Sequence, residues 1–185
     1  MFLVIAAPLA LSAQQVSTGP APSQTDSSSV ELHRLFLEDQ SARQRPLSKE
    51  EAIDLGHQDA ARRVAVKEMI DDNALHTAQD FEDAAFIFQH GTSADDYLLA
   101  HTLATIAVAR GSSNALWIVA ASLDRYLGAI GQPQIYGTQT HRAPATPWTQ
   151  EPYNRTLVPD SLLKALGVDS RTEQQKRVDV LNAAK

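Results

Sequence analysis

The sequence predicts an all-α fold, an antiparallel helical bundle of about five main helices with a proline-rich C-terminal loop region and two short terminal helices. Capping boxes, in which Ser or Thr precedes Glu or Asp by three positions at a helix start, recur at 48–51, 77–80, 93–96 and 170–173. Three apolar segments end at a glycine, as left-handed helix caps require: Gly91, Gly111 and Gly131. The connections between these segments are short, which makes neighbouring helices antiparallel.

The first two helices come before residue 73. The first is expected over 30–43, with its apolar residues on one side. The second runs from the capping box at 48–51 to about Asp72. Because glycine weakens a helix interior, a break is predicted near Gly56.

The third helix, expected over 78–90, carries Asp83 and His90 on one face. These residues are two turns apart, about 10 Å along the axis, so they do not contact each other. His90 is near the helix C-terminus, where the helix dipole stabilises a protonated imidazole. The helix therefore contains no ready-made acid–base pair.

The fourth helix, expected over 97–110, is apolar on two sides, and this pattern places it in the middle of the bundle. His101 lies on one of these sides. A buried imidazole needs a hydrogen-bond acceptor whether or not it reacts. His101 is therefore expected to be a buried core histidine with a backbone or side-chain acceptor.

The fifth helix, expected over 114–130, carries a charged pair. Its dominant apolar face is formed by Leu116, Val119, Ala120, Leu123, Leu127 and Ile130. Asp124 lies at the edge of this face, and Arg125 lies on the opposite side among small residues that let another segment approach closely. Successive helix residues diverge by about 100°. The two charges therefore do not satisfy each other, and each needs a separate partner or water.

The region after residue 131 is interrupted by prolines at 133, 144, 147, 152 and 159. Two extended segments in this region, 134–140 and 147–153, can pair as one small hairpin. The chain is then expected to finish with short helices over 161–166 and 171–184. The first of these is closed by Gly167.

The N-terminus has the pattern of an export signal. Residues 1–13 form an apolar stretch that ends in small residues, which predicts a signal peptide removed after Ala13. Residues 14–29 are rich in Ser, Gln and Pro, as in a flexible linker, and 30–185 form a single helical domain. An exported protein, periplasmic or secreted, is expected, with no stable membrane insertion after signal removal because the stretch is too short to span a bilayer.

Composition excludes several classes of function. The chain has no cysteine, so it has no disulfide, thiolate nucleophile or cysteine-ligated zinc. Its net charge of −6 argues against a nucleic-acid partner. The six histidines include no pair spaced four residues apart, so no metal site is expected. Glycine-rich phosphate loops and a Gly-x-Ser-x-Gly motif are also absent, and no cofactor is predicted.

Several strings together resemble a known family: QHG at 89–91, DYLLAHTLA at 96–104, LDRYL at 123–127 and QPQIYGTQ at 132–139. They are similar to a bacterial domain family of unknown function, marked by an Asp-Arg pair followed by a Gln-x-Tyr-Gly-Thr-Gln loop. The similarity extends upstream to EDQSAR at 38–43. It implies a domain identity and a site location without supplying chemistry. The residues that match the family pattern are Asp39, Gln40, Arg43, Gln89, His90, Asp124, Arg125, Gln134, Gly137, Thr138 and Gln139.

The loop over 132–139 has a physical role in this pattern. Gly137 permits a turn or a close backbone approach, so the loop can fold back past the fifth helix. Gln134 and Gln139 carry amides suited to holding Asp124 and Arg125 in place. The resulting cluster is either a ligand pocket or a buried polar staple, and the residue types favour neither alternative over the other.

Three functions follow from these residues. The leading hypothesis is binding of a small molecule or peptide in a polar pocket between the central helices and the 132–139 loop. Its expected contacts are Gln89, Arg125, Gln134, Tyr136, Thr138 and Gln139. The runner-up is an acid–base hydrolase that uses His90 or His101 with Asp124, and Arg125 as the anion-stabilising group. The third is a protein-interaction module in which the proline-rich segment, with Trp148 and Tyr153, forms the contact surface.

Overall fold

The computed structural model describes residues 27–184, and within this range it contains helices and no strand. The all-α class is therefore confirmed. The helices are α1 Ser27–Ser41, α2 Lys49–Asp71, α3 Ala78–Phe88, α4 Ala94–Ala109, α5 Leu116–Ala129, α6 Asp160–Ala165 and α7 Arg171–Ala183, with a 3-10 turn at Ser113–Ala115 before α5.

The central position predicted for the fourth helix is confirmed. Helix α4 packs against both α3 and α5, while α1 and α2 cover α3. The main core lies between these five helices, and alanines occupy much of the α4 contribution: Ala100, Ala104 and Ala107 are completely buried. Small side chains allow two helices to approach closely, and α4 packs in this way between α3 and α5.

The helix starts follow the sequence closely. In all four predicted capping boxes, the hydroxyl of the first residue accepts from the backbone N–H three positions later, and the acidic side chain accepts in return. Gly111, Gly131 and Gly167 have positive φ angles and end α4, α5 and α6 as predicted. Gly91 does not adopt a left-handed cap. It is required there for space, because a Cβ atom would lie 2.2 Å from Cβ of Asp96.

Two predicted boundaries are wrong. Helix α2 runs without a break past Gly56, because that glycine faces solvent and nothing lies within 4 Å of where its Cβ would be. Helix α1 begins at Ser27, so the last three residues of the predicted linker are helical. The predicted signal peptide and the rest of the linker lie outside the described residues.

The buried surface of α5 only partly matches the predicted apolar face, of which Ala120 is completely buried. Ile118, Ala121 and Ser122 are completely buried, whereas Ile130 of the predicted apolar face is 46% exposed. The reason is that α5 contacts α4 through its small residues, which the alanine-rich surface of α4 can approach closely. Arg125 lies one turn beyond Ser122, on the side that packs against the bundle.

The C-terminal region covers the other side of α5. Ala120, Leu163 and Val168 form a second small core with Tyr136 packed against it. The predicted hairpin is reduced to two isolated bridges, a parallel one between Gln134 and Tyr153 and an antiparallel one between His141 and Thr149. Backbone hydrogen bonds join the segments only at these two bridges, and side-chain hydrogen bonds hold the rest. Within 27–184, no helix is both long and apolar enough to cross a membrane.

Candidate functional site

An open cleft of about 600 Å³ lies where α5 ends, between the start of α4 and the returning 132–141 loop. A cleft of this size accommodates a small organic molecule. Polar groups form much of its wall, and the main contributors are Thr92, Tyr97, Asp124, Arg125, Gln132, Gln134, Gln139, Thr140 and His141. Gly128 and Ala129 form the α5 side of the cleft without adding bulk.

Asp124 holds the loop to α5. Its Oδ1 accepts from the backbone N–H groups of Ile135 at 2.8 Å and Tyr136 at 3.1 Å. Its Oδ2 accepts from both the backbone N–H and the hydroxyl of Thr138, at 3.0 and 2.8 Å. Four donors on a carboxylate that is 1% exposed leave it no free lone pair of good geometry. Asp124 is therefore an anchor for the loop, and its separate-partner prediction is confirmed.

Three buried glutamines fix the loop backbone from the other side. The Nε2 of Gln134 donates to the carbonyls of Gln139 and Gln150, while its Oε1 accepts from the N–H of Gln139. The Nε2 of Gln150 donates to the carbonyl of Gly137. The Nε2 of Gln174, on α7, donates to the carbonyls of Tyr136 and Asp169. The wall of the cleft is therefore rigidly held by polar contacts.

The expected contacts of Gln134 and Gln139 with the charged pair do not form. Gln134 binds the loop to itself, as described. Gln139 donates from Nε2 to the carbonyl of Ala121 and to the hydroxyl of Thr138. Backbone N–H groups of the loop, those of Ile135, Tyr136 and Thr138, bind Asp124 in place of the glutamine amides. Both glutamines nevertheless line the cleft, and their role as ligand contacts stays a prediction.

Arg125 is half-buried and lines the cleft, but it has no partner among residues 27–184. Its Nε is buried, and within the described residues its guanidinium takes part in no hydrogen bond or ion pair. Burial lowers the pKa of Arg125; Tyr97 opposes this shift, and Arg43 adds to it. Of the two alternatives predicted for Arg125, a separate partner or water, the described residues supply no partner, and the side chain lines the open cleft instead.

The other three predicted ligand contacts lie away from the cleft wall. Gln89 is buried at the end of α3 with its Oε1 unpaired among the described residues. Tyr136 packs against the second core, and burial raises its pKa, with the Asp124 carboxylate adding to the shift. Thr138 uses its hydroxyl on Asp124.

His90 pairs with an acid on another helix. Its Nδ1 lies 3.0 Å from Oδ2 of Asp39 on α1, and Asp39 is completely buried. Arg43 connects Asp39 to Asp59 by binding both carboxylates, and Arg62 binds Asp59 in turn. Asp39 and Arg43 of the upstream motif thus meet His90 in one network between α1, α2 and α3.

The histidine–Asp124 pairs of the hydrolase hypothesis do not form. His101 is half-buried, not fully buried as expected, and its Nδ1 lies 3.0 Å from the carbonyl of Val119. His33 was not selected by any sequence pattern, yet its Nδ1 lies 2.8 Å from Oδ2 of Asp83 and joins α1 to α3. Burial raises the pKa of Asp83, and its hydrogen bonds to His33 and Gln79 partly oppose this shift.

The proline-rich segment presents little of its aromatic surface. Tyr153 is buried, and Trp148 is half-buried beneath the guanidinium of Arg142. The backbone N–H and carbonyl of Trp148 are bound by the amide of Asn182 on α7. These residues attach the segment to the domain instead of forming an exposed contact surface.

Sequence reasoning missed Gln150, Gln174 and Asp59. Each binds a group more than ten positions away in the chain, so no local spacing could have indicated its role. Their low exposure is a tertiary property. Among residues 27–184 no group of three or more His, Asp or Glu side chains could hold a metal ion.

The motif residues thus form two polar clusters, one around Asp39 and His90 and one around Asp124 and the loop. The resemblance to a bacterial domain family stays a prediction, because comparisons with family models, curated proteins and solved structures find no significant match to this chain.

Proposed function

We propose that this chain is an exported helical domain that binds a small molecule or peptide in the cleft between α4, α5 and the 132–141 loop. The observation that carries the proposal is an open polar cleft with a rigidly anchored wall. Asp124 and the buried glutamines fix the loop before any ligand arrives. A preorganised wall lowers the entropy cost of binding.

The sequence left open whether the loop is a ligand pocket or a structural staple, and we propose that it is both. Asp124, Gln134 and Gln174 serve the fold, because their polar atoms bind the loop. Gln132 and Thr140 line the cleft, and their side chains make no hydrogen bond within the described part of the chain. The loop is therefore a structural staple on its inner side and a binding surface on its outer side.

Gly128 gives a direct test. It is an exposed residue of α5 on the cleft wall, and nothing lies within 4 Å of where its Cβ would be. Gly128→Leu should narrow the cleft without disturbing the core. The measurement is a thermal melt with a library of envelope-derived peptides, sugars and small acids, since a ligand that binds only the folded state raises Tm.

The matched control is Gly56→Leu, at the other exposed helical glycine with open space around its Cβ. The proposal expects at least one compound to raise the Tm of the wild type and of Gly56→Leu, but not that of Gly128→Leu. If every binding compound stabilises all three proteins equally, the ligand lies elsewhere. If none shifts the wild type, the binding proposal fails.

A second candidate function is acid–base catalysis at His90. The specific observation is that Asp39, and not Asp124, holds His90 through Nδ1. A carboxylate on Nδ1 fixes the tautomer and directs Nε2 toward a substrate proton, as in hydrolases with a histidine base. The same contact also joins α3 to α1, which is a purely structural role.

An assay of substrate turnover distinguishes catalysis by His90 from a purely structural role. The wild type, His90→Gln and the control His57→Gln, at an exposed position of α2, would be assayed on ester, amide, glycoside and phosphoester substrates. Activity present in wild type and His57→Gln but absent from a folded His90→Gln would support catalysis. Activity that survives in His90→Gln would exclude His90 as the base.

A further inference from the structure

Arg125 differs from every other arginine in the described residues. Each of the other ten contacts a carboxylate, a main-chain carbonyl or an aromatic ring. Arg125 makes none of these three kinds of contact within residues 27–184, although its Nε is buried and its side chain lines the cleft. An arginine stays protonated even when desolvated, so it cannot relieve the free-energy cost of burying its charge by losing its proton.

The surrounding charges leave this cation uncompensated. Asp124 is the acid nearest in sequence, but its two oxygens are directed at Ile135, Tyr136 and Thr138 of the loop. Arg43 adds a second positive charge in the neighbourhood. The hydroxyl of Tyr97, another wall residue, donates to the carbonyl of Gly91 at 2.8 Å. No acidic side chain of residues 27–184 is within ion-pair distance of the guanidinium.

We infer that the cleft takes a ligand through an anionic group, a carboxylate or a phosphate, that binds the guanidinium of Arg125. This inference rests on the proposed binding function and specifies its ligand. The planar guanidinium presents paired N–H donors that match the two oxygens of a carboxylate or phosphate. Thr92, Thr140 and His141 lie on the same wall and can supply further donors to the remaining oxygens.

The side chain itself can report on binding. In an NMR spectrum of the ¹⁵N-labelled full chain, the Nε–H signal of Arg125 is assigned by its loss in Arg125→Gln. Arg34, which binds Glu31 and Glu38 on the exposed side of α1, is the internal control. Sodium phosphate and sodium acetate are titrated separately, with sodium chloride used to keep the ionic strength constant.

The inference expects the Arg125 signal to shift and saturate with phosphate or with acetate, while the Arg34 signal does not move. Saturation by only one salt identifies that anion as the group recognised. If neither salt moves the Arg125 signal more than chloride does, the inference is overturned.

A second measurement keeps this outcome separate from failure of the cleft itself. Compounds that raise the wild-type Tm are compared in Arg125→Gln and in the surface control Arg34→Gln. Anionic compounds should lose roughly tenfold or more in affinity in Arg125→Gln alone, the usual effect of removing a charged hydrogen bond. An anionic compound that is blocked by Gly128→Leu but binds Arg125→Gln as tightly as the wild type would preserve the cleft and overturn the anion inference.

Discussion

Asp124 and Arg125 are adjacent in the chain, yet the fold satisfies only the first. Asp124 points toward the returning loop and accepts four hydrogen bonds. Arg125 points about 100° away along the helix surface, toward the cleft, where no acidic side chain of residues 27–184 forms an ion pair with it. A residue that is buried without a partner lowers stability, and proteins commonly retain such residues at functional sites.

Replacing Asp124 should therefore be costly. In Asp124→Ala, the N–H groups of Ile135, Tyr136 and Thr138 lose their acceptor. The free energy of unfolding should fall by roughly 3 kcal/mol or more, since each buried donor left without an acceptor costs about 1–3 kcal/mol. Urea denaturation of the two proteins measures this loss. Asp124→Asn, which keeps the shape and one acceptor oxygen, should lose less. A loss below about 1 kcal/mol in Asp124→Ala would show that the carboxylate is solvated.

Replacing Arg125 should have the opposite sign. Arg125→Met keeps much of the apolar side chain and removes an uncompensated charge. Its free energy of unfolding should stay equal to that of the wild type or rise by roughly 1 kcal/mol in ligand-free protein. The same urea experiment measures it. A loss larger than about 2 kcal/mol would indicate that Arg125 stabilises the fold.

At the scale of elements, a glycine is required at some positions of this chain and not at others. Gly137 has a φ of 74°, and a Cβ there would lie 2.1 Å from Oε1 of Gln174. The loop can pass this close to α7 only because the side chain is absent. Gly56, in contrast, occupies the exposed interior of α2, where nothing requires a glycine.

Gly56→Ala should stabilise the protein. Alanine has a higher helix propensity, and the unfolded chain loses conformational freedom, so the free energy of unfolding should rise by roughly 0.5–1 kcal/mol. Thermal denaturation at matched protein concentration measures the change. An unchanged or lower stability would mean that α2 depends on flexibility at residue 56.

Gly137→Ala is the contrasting variant. An alanine there would adopt a left-handed conformation, which costs roughly 1–2 kcal/mol, and would also contact Gln174. The protein should therefore be destabilised by at least this amount. Wild-type stability in this variant would contradict the close approach of the loop to α7.

The whole molecule consists of a five-helix bundle and a C-terminal segment that returns over α5. Gln174 and Asn182 on α7 bind Tyr136 and Trp148, so the last helix fastens the whole returning segment. The cleft forms at the edge between the two parts. Its shape consequently depends on contacts between α4, α5, the 132–141 loop and α7.

Export is a prediction at this scale. If the full chain is expressed in a secreting bacterial host, we expect the exported protein to begin near Gln14, because residues 1–13 have the apolar core and small-residue end of a signal peptide. Intact mass spectrometry of the exported fraction measures the start. A mass that retains Met1 in that fraction would contradict cleavage.

Local patterns in the sequence determined the helical class and most helix ends. The capping box of α4 needs only Ser93 and Asp96, three positions apart, and the end of α5 needs only Gly131. Such features depend on residues within one or two turns, so spacing reveals them. The location of the cleft beside the 132–139 loop was predicted in the same way, from the helix end and the charged pair next to it.

Only the tertiary structure decided which groups meet. Asp39 and His90 are 51 positions apart, and Gln174 and Tyr136 are 38 apart, so their contacts depend on how the helices pack. The hydrophobic pattern of α5 also identified only part of its buried surface, because the face with Ile118, Ala121 and Ser122 lay outside that pattern. The physical reason is that the close approach of small residues on α4 and α5 selected that face, and packing between two surfaces is a property of neither sequence segment alone.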